Sequence, residues 1–378
     1  MQQISVKELS ALNADELLIV DVRDENSYSY GHIPGAINVT ADKIAGYGFP
    51  RGKKIIVYCR TGQISDGAVQ QLLADGLDAY ELEGGYVSWL KLHISDLAQD
   101  TALQVEEGLR TMFSKKLFTK FAKAINVYRL LEPNDKVAVC ISGGKDSMLM
   151  AKLFQELKRH NKFPFELVFL VMDPGYSAEN REIIERNAKI LNVPITVFET
   201  DIFENVFTIE KSPCYVCARM RRGHLYAKAK ELGCNKIALG HHYDDVIETT
   251  LMGMLYGGQM QTMMPRVDSA NFEGMRLIRP MYLIREEDIK AWRDCYNLQF
   301  IQCACKFTDT CTSETCNSQS NAASKRQKVK KLIWGLKNED PEIEQNIFKS
   351  TENVNLSTIL AYKDKRGVKH YFYDEDDE

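Results

Sequence analysis

Apolar and polar positions along the first 95 residues predict a small α/β unit. The apolar runs Leu17–Val22 and Lys54–Tyr58 are short and continuous, which is typical of buried strands. The stretch Ser65–Asp75 has helical spacing instead. The predicted apolar face of this helix comprises Ile64, Ala68, Leu72 and Leu73. A turn-rich connection, residues 31–36, separates the two strands.

Strands and helices alternate from Asp135 onward. Apolar runs predict strands at Lys136–Ile141, Leu167–Met172, Ile195–Glu199 and Lys236–Leu239. Helical spacing predicts helices at Ser147–Arg159, Ala178–Leu191 and Arg219–Leu232. This alternation is typical of a doubly wound parallel sheet, so the expected class is α/β. We expect a domain at 1–95, a linker at 96–115, a larger domain at 116–335 and an extension with an acidic tail at 336–378.

The amino-acid composition indicates what class of protein this is. The 378 residues are 44% hydrophobic and 26% charged, which is ordinary for a soluble globular protein. The apolar runs are far shorter than the roughly 20 residues of a membrane span, and Met1–Ser10 has no signal-peptide pattern. We therefore expect a cytoplasmic protein with no membrane partner, in which the ten cysteines are reduced.

Charge is distributed unevenly along the chain. Residues 1–100 carry 8 Lys and Arg against 14 Asp and Glu, a net charge of −6. Residues 101–373 carry 40 against 33, a net charge of +7, before an acidic tail. A basic body suits a polyanionic partner, although scattered solvated lysines explain the same balance.

Cys59 directly follows the second predicted strand and precedes a helix that begins near Ser65. At such a junction, backbone N–H groups and the helix N-terminus stabilise negative charge, which makes a thiol nucleophilic. The same loop could hold a phosphate, as in phosphatases that carry Arg six residues after the cysteine. Here that position is Ser65, so the bidentate guanidinium contact is missing and sulfur chemistry is favoured.

Three stretches around Cys59 resemble the rhodanese family of sulfurtransferases. They are Asp21-Val22-Arg23, residues 31–36 with the sequence GHIPGA, and residues 83–89 with the sequence EGGYVSW. The resemblance implies that Cys59 is catalytic and carries a persulfide. It also implies an upstream persulfide donor, such as a cysteine desulfurase. A rhodanese-like module without activity is the alternative.

A second loop follows the predicted strand Val137–Ile141. Its residues are Ser142, Gly143, Gly144, Lys145, Asp146 and Ser147. Two glycines let backbone amides approach a phosphate, the helix N-terminus adds positive potential, and Asp146 can hold Mg²⁺. The loop resembles the PP-loop of the ATP-pyrophosphatase superfamily, which implies an adenine nucleotide alpha hydrolase-like domain. Those enzymes bind ATP and cleave it between the α and β phosphates.

The predicted strand at 236–239 ends in a polar segment. Gly240 and His241 follow it directly, and Asp245 stands at the start of the next predicted helix. Carboxylates at this edge of a parallel sheet lie where ligands bind, although Asp244 or Asp245 could be only a helix cap. The segment resembles the His-His-x-Asp-Asp sequence of PP-loop enzymes that act on tRNA, which implies that Gly240, His241 and Asp245 contact the nucleotide.

Six further cysteines stand in two groups, a pair at 214 and 217 and a dense group between 303 and 316. Cys214 and Cys217 have the spacing of a metal or iron–sulfur pair, although a zinc site or a redox disulfide fits that spacing too. Residues 110–330 resemble the tRNA 2-thiocytidine synthetase family, through the loop at 142–147, Pro213–Gly223, residues 237–245 and Phe300–Cys303. The resemblance implies a [4Fe–4S] cluster held by Cys214, Cys217 and Cys303. The later family motif is stretched here, so Cys305, Cys311 or Cys316 could replace Cys303 or bind zinc.

Together these features predict an ATP-dependent tRNA 2-thiolation enzyme that releases AMP and pyrophosphate. The substrate oxygen is that at C2 of a pyrimidine, with cytidine expected. Sulfur delivered from the [4Fe–4S] cluster replaces it, and the Cys59 persulfide is the expected source of that sulfur. Arg219, Arg221, Arg222 and the basic run 325–331 are candidate tRNA contacts. A lysidine-type tRNA ligase and a non-catalytic nucleotide-binding iron–sulfur sensor are the alternatives. The oligomeric state stays open, with a homodimer as one option.

Overall fold

A computed structural model describes residues 2–95, 101–160, 162–202, 213–301, 321–364 and 366–372. The chain divides into two compact units. The first comprises Met1–Tyr243 and Pro265–Ser320, and the second comprises Asp244–Met264 and Asn321–Glu378. Within the described part of the chain, no helix is both long and apolar enough to cross a membrane.

The N-terminal part of the first unit is a five-stranded parallel sheet with strand order β1-β5-β4-β2-β3. Its strands are β1 Gln3–Ile4, β2 Leu17–Asp21, β3 Ile37–Asn38, β4 Lys54–Tyr58 and β5 Ala79–Leu82. Its helices are α1 Val6–Ala11, α2 Glu25–Tyr30, α3 Ser65–Ala74 and α4 Gly85–Ser95. Cys59 therefore lies at the carboxyl end of the central strand, as the apolar runs predict.

The rest of the first unit is built on a six-stranded sheet with order β10-β11-β9-β6-β7-β8, in which β10 alone is antiparallel to its neighbour. Its strands are β6 Lys136–Ile141, β7 Glu166–Asp173, β8 Ile195–Glu199, β9 Lys236–Ala238, β10 Arg266–Asp268 and β11 Arg276–Ile278. Its helices are α5 Thr101–Arg110, α6 Thr119–Val127, α7 Lys145–Arg159, α8 Ala178–Ile190, α9 Pro213–Glu231 and α11 Glu286–Cys295. The predicted α/β class is confirmed, with one parallel and one mostly parallel sheet, each accompanied by helices.

The second unit contains α10 Tyr243–Gly257 from its second residue, together with α12 Asn321–Glu339 and α13 Ile343–Ser350. A two-stranded antiparallel sheet follows, formed by β12 Ala361–Lys363 and β13 Lys369–Tyr371. Arg326 joins α12 to α10, because its guanidinium lies 3.3 Å from the Glu248 carboxylate and donates to Thr249 Oγ1 at 3.2 Å. This arginine belongs to the basic run predicted to contact tRNA, and in this unit it also holds two helices together.

Two local expectations differ from the structure. The buried face of α3 comprises Ser65, Ala68, Val69 and Leu72. Ile64 and Leu73 are 46% and 37% exposed, because positions i, i+3, i+4 and i+7 share a face when the helix begins at Ser65. Helix α9 begins at Pro213, six residues before its predicted start, so the backbone is already helical at Cys214 and Cys217.

The two sheets of the first unit belong to one packed body. Helix α4 lies against α8, and the apolar side chains of Trp89 and Ile184 belong to one buried cluster. The ammonium of Lys91 on α4 lies 3.1 Å from the Glu182 carboxylate on α8. Helix α5 also contributes buried Val105 and Leu109 to this cluster, although it lies in the segment expected to be a linker. The N-terminal sheet therefore has a fixed position beside the second sheet.

Candidate active site

The loop after β6 has the backbone that a phosphate site needs. Gly143 has φ +84°, and a Cβ at this position would lie 2.5 Å from Ile184 Cγ1, so only glycine fits without displacing its neighbours. The Ser142 backbone N–H donates to Ser147 Oγ at 3.1 Å, which closes the loop onto the first turn of α7. The chain therefore presents the N-terminus of a 15-residue helix at the carboxyl end of an interior strand.

Lys145 is the first residue of α7 and is 2% exposed. Its ammonium donates to both carboxylate oxygens of Asp146, at 3.0 and 3.1 Å, and lies 3.5 Å from Glu286 Oε1. Sequence reasoning missed Glu286, which begins α11 far along the chain. The acidic start of that helix, Glu286-Glu287-Asp288, was its only sequence signal. Two carboxylates beside one loop are suitable oxygen ligands for Mg²⁺.

Strand β9 brings a second backbone segment to this loop. It pairs in parallel with β6, with Val139 opposite Ala238, so both strands end at the same edge of the sheet. A Cβ on Gly240 would lie 3.3 Å from the Ser147 backbone nitrogen, and glycine permits this close approach. His241 follows directly. Asp245 lies on α10 in the second unit, 3.5 Å from an Arg326 nitrogen.

Cys59 lies in a second loop of similar design. Its thiol is 3% exposed and accepts hydrogen bonds from the backbone N–H groups of Gly62 at 3.1 Å and Ile64 at 3.4 Å. Ser65 Oγ lies 3.4 Å from the same sulfur and donates to Glu81 Oε1 at 2.8 Å. Donors arranged around one sulfur stabilise a thiolate or the anion of a persulfide.

The neighbouring Asp21-Val22-Arg23 motif forms a network of contacts that reaches the backbone of Cys59. The Arg23 guanidinium binds the Asp21 carboxylate, with the shortest contact at 2.6 Å, and donates to the Gly31 carbonyl at 2.7 Å. Its carbon lies 4.2 Å from the centroid of the Tyr86 ring, a cation–π contact. Because the Tyr86 N–H donates to the Cys59 carbonyl at 2.9 Å, this network fixes the start of the cysteine loop.

Two known families match the parts of the chain that contain these loops. Residues 5–92 match the model of the rhodanese-like domain, and residues 113–308 match that of the PP-loop domain. A tRNA-cytidine(32) 2-sulfurtransferase of Neisseria meningitidis is 33% identical over 244 residues, which are 64% of this chain and 72% of that protein. This chain belongs to the PP-loop tRNA 2-sulfurtransferase family.

A second relative gives the same result. The tRNA-cytidine(32) 2-sulfurtransferase of Anaeromyxobacter dehalogenans is 33% identical over 249 residues, covering 65% of this chain and 81% of that protein. Among solved structures, the U34-tRNA thiolase NcsA from Methanococcus maripaludis with its [4Fe-4S] cluster matches with a TM-score of 0.48 at 21% identity, over 64% of this chain and 78% of that one. At that score the structural likeness adds nothing to the assignment.

The other cysteines comprise two buried thiols, one exposed thiol and the predicted cluster ligands. Cys140 and Cys234 are buried in one apolar cluster, and burial raises the pKa of Cys140 to about 12 and also raises the pKa of Cys234. Both have the environment of inert core thiols, and Cys295 is exposed at the end of α11. Among the predicted cluster ligands, Cys214 and Cys217 have a described backbone only, and Cys303, Cys305, Cys311 and Cys316 lie outside the described residues.

Proposed function

We propose that this protein is an ATP-dependent tRNA sulfurtransferase that replaces the C2 oxygen of a cytidine with sulfur. The observation that carries the proposal is the loop at residues 142–147, where a helix N-terminus and a buried ammonium lie beside the carboxylates of Asp146 and, from α11, Glu286. The names of the relatives, tRNA-cytidine(32) 2-sulfurtransferases, support tRNA and cytidine as the substrate. The loop provides the means to handle ATP, and the tRNA supplies the oxygen that ATP activates.

Adenylation makes the C2 oxygen a leaving group. That oxygen attacks the α-phosphorus of ATP, the bond to the β-phosphate oxygen breaks, and pyrophosphate departs with the electron pair. The amide donors of the loop and the Lys145 ammonium stabilise the charge that develops on the phosphates. Asp146 and Glu286 would hold Mg²⁺ beside them, while Gly240 borders the loop and His241 follows Gly240 in the chain. The proposed contact of Asp245 with the nucleotide rests only on the resemblance to the His-His-x-Asp-Asp sequence.

Cys59 supplies the sulfur in this proposal. An upstream persulfide donor transfers its outer sulfur to the Cys59 thiolate, and the donors from Gly62 and Ile64 stabilise the persulfide anion. Release of that sulfur as hydrosulfide consumes two electrons from an external thiol reductant and regenerates Cys59. Hydrosulfide then attacks C2 of the adenylated base, and AMP leaves with the C–O electron pair. Fusion of both domains raises the local concentration of the donor.

We assign a [4Fe–4S] cluster to Cys214, Cys217 and Cys303. The assignment rests on cysteine spacing and on the resemblance of this region to the 2-thiocytidine synthetases. The backbone supports the first two ligands, because positions 214 and 217 stand three residues apart in the first turn of α9, and such positions are neighbours on a helix. When bound, a cluster with three thiolate ligands supplies an iron with an open position for sulfur.

Basic residues after the cysteine pair are the proposed tRNA contacts. Arg219, Arg221 and Arg222 follow on α9, where Arg221 donates to Tyr176 Oη at 3.4 Å. The run 325–331 on α12 supplies further cations, although Arg326 is engaged with α10. Contacts of this kind go to phosphates and make tRNA affinity dependent on salt.

The test uses Asp146→Asn in the full chain with its cluster loaded. Incubated with MgATP, a sulfur source and unmodified tRNA, the wild type should produce one thiolated nucleoside with equal amounts of AMP and pyrophosphate. The variant should lose at least about 100-fold in rate, because it removes a charge from the metal site, while iron content and thiosulfate sulfurtransferase activity stay unchanged. Release of ADP would contradict the assignment, and so would a lysine-containing product nucleoside.

A further inference from the structure

Tyr30, the last residue of α2 in the rhodanese-like domain, lies directly over the phosphate loop of the other domain. Its Oη accepts a hydrogen bond from the Lys145 backbone N–H at 3.1 Å. A Cβ placed on Gly144 would lie 2.7 Å from the same oxygen. The Lys145 ammonium lies 4.9 Å from the centroid of the Tyr30 ring. The hydroxyl therefore occupies the space in front of the first amide of α7.

The contact is held from both sides. The Tyr30 carbonyl accepts a hydrogen bond from the Arg293 guanidinium on α11, and the carbonyl of Gly31 accepts one from Arg23 at 2.7 Å. Burial raises the pKa of Tyr30, so its hydroxyl stays protonated and neutral at physiological pH. The acceptor at the Lys145 amide is thus a neutral oxygen, and two arginines hold the backbone of the residue that carries it and of the next one.

The Lys145 amide belongs to the set of donors that phosphates use. The first N–H groups of a helix have no partner within the helix, and they bind anions when one is available. A hydrogen bond to an ionised phosphate oxygen is roughly twice as strong as one to a neutral oxygen. The Lys145 ammonium is also engaged, with Asp146 and Glu286. Polyphosphate must therefore exchange with these protein acceptors, and the phosphate has the advantage at the amide.

We propose that Tyr30 is a removable cover of the phosphate loop, and that the polyphosphate of a nucleoside triphosphate displaces its hydroxyl on binding. The proposal rests on the proposed function of this loop as the ATP site. Because coupling between two binding events is reciprocal, the docked hydroxyl weakens nucleotide binding by the same factor as the nucleotide weakens docking. The fused domain then controls access to ATP as well as supplying sulfur, and an unoccupied loop stays covered.

The test compares two tyrosines of one helix. Tyr30→Phe removes the covering oxygen and keeps the ring, whereas Tyr28→Phe removes a hydroxyl that donates to the Ala36 carbonyl at 2.6 Å, inside the rhodanese-like domain. Calorimetry on the full chain measures Kd for the magnesium complex of α,β-methylene ATP, which cannot be cleaved at the α–β position. We expect Tyr30→Phe to bind about five-fold more tightly, the value of one neutral hydrogen bond, and Tyr28→Phe to bind as the wild type does.

Hydrogen exchange supplies a second measurement on the unsubstituted chain. Saturation with the same analogue should speed amide exchange over residues 27–33, because Tyr30 loses its anchor on the loop. Equal or weaker binding by Tyr30→Phe, or unchanged or slower exchange in this segment, would overturn the cover. If wild type and variant both bind with equal Kd, the ATP site stands and the cover falls. If neither binds, both the ATP site and the cover fall.

Discussion

The two loops that follow β4 and β6 are built alike and differ in what their hydrogen-bond donors contact in this structure. Each leaves the carboxyl end of a parallel strand, turns through a glycine with positive φ, and enters a helix. In the first, the amides of Gly62 and Ile64 already converge on the protein's own Cys59 sulfur. In the second, the loop donors are engaged with Ser147, Asp146 and the hydroxyl of Tyr30.

These contacts fit the role proposed for each loop. A loop that surrounds its own thiol is always ready to stabilise sulfur anions. A loop for an external phosphate has donors that would be left unsatisfied between turnovers, and unsatisfied buried donors cost about 1–3 kcal/mol each. Ser147 and Tyr30 satisfy two of them in this structure. Replacement of the Cys59 sulfur by a hydroxyl oxygen, which still accepts hydrogen bonds from these amides, should therefore affect chemistry more than stability.

The largest expected effect comes from Cys59→Ser. Removal of the nucleophile should reduce thiosulfate sulfurtransferase activity by at least about 10⁴-fold. Thiolation of tRNA should slow when a persulfide donor is limiting, and free sulfide should restore it. Cys295→Ser, which changes an exposed thiol outside both loops, is the control. A Cys59→Ser enzyme that thiolates tRNA at the wild-type rate from a persulfide donor would refute the sulfur relay.

A comparison of two thiols tests how strongly the apolar core around β6 protects its cysteine. Cys140 lies near the end of β6, just as Cys59 follows β4, but it lies in an apolar cluster, and burial raises its pKa to about 12. Alkylation requires the thiolate, so Cys140 should be labelled about 10³-fold more slowly at pH 8 than an unperturbed thiol. Its labelling should stay low up to pH 9, because the raised pKa keeps the thiol protonated.

Mass spectrometry of peptides from native protein treated with iodoacetamide measures this difference. Exposed Cys295 provides the reference rate in the same sample. Equal labelling of Cys140 and Cys295 at pH 8 would mean that the core around β6 does not protect its thiol, and the contrast between the two strand ends would fail.

Local sequence was enough to predict both loops, because a strand followed by glycines and a helix is encoded by consecutive residues. Strand bounds at Lys136–Ile141 and Ile195–Glu199 were predicted without error for the same reason. Tyr30 and Glu286 were missed, since they reach Lys145 from 115 and 141 residues away. Nothing in a single sequence marks such pairs, because they arise from how α2 and α11 pack.

The glycines of the two loops offer a matched pair for stability. Gly143 has φ +84° and no space for a Cβ beside Ile184, whereas Gly62 has φ +97° and its added Cβ would lie 3.6 Å from Glu81 Oε1, an ordinary contact. Gly62→Ala should lower the free energy of unfolding by about 1–2 kcal/mol through backbone strain. Gly143→Ala should lower it by about 2–5 kcal/mol, because overpacking adds to the same strain.

Urea unfolding of the full chain, followed by circular dichroism, measures both variants. Gly46→Ala is the control, since that position has open space around it and no positive φ. Equal losses for Gly143→Ala and Gly62→Ala would show that Ile184 yields to the new methyl group. The phosphate loop would then be no more tightly packed than the cysteine loop.

The smallest expected effect is that of Ser65→Ala, which removes one group beside the Cys59 sulfur. The hydroxyl of Ser65 has a single hydrogen, and its shorter contact is the 2.8 Å bond to the Glu81 carboxylate, so it contributes little to the sulfur at 3.4 Å. Two backbone amides remain, and they do not depend on this side chain.

We therefore expect thiosulfate sulfurtransferase activity to fall only about three-fold in Ser65→Ala, while the free energy of unfolding falls by about 1 kcal/mol through loss of the bond to buried Glu81. Thr61→Ala, which removes an exposed hydroxyl from the same loop, is the matched control for both measurements. A loss of activity near 100-fold would mean that the hydroxyl turns toward the sulfur during catalysis. The cysteine loop would then depend on a side chain, as the phosphate loop does on Lys145, and the two loops would be more alike than their resting contacts indicate.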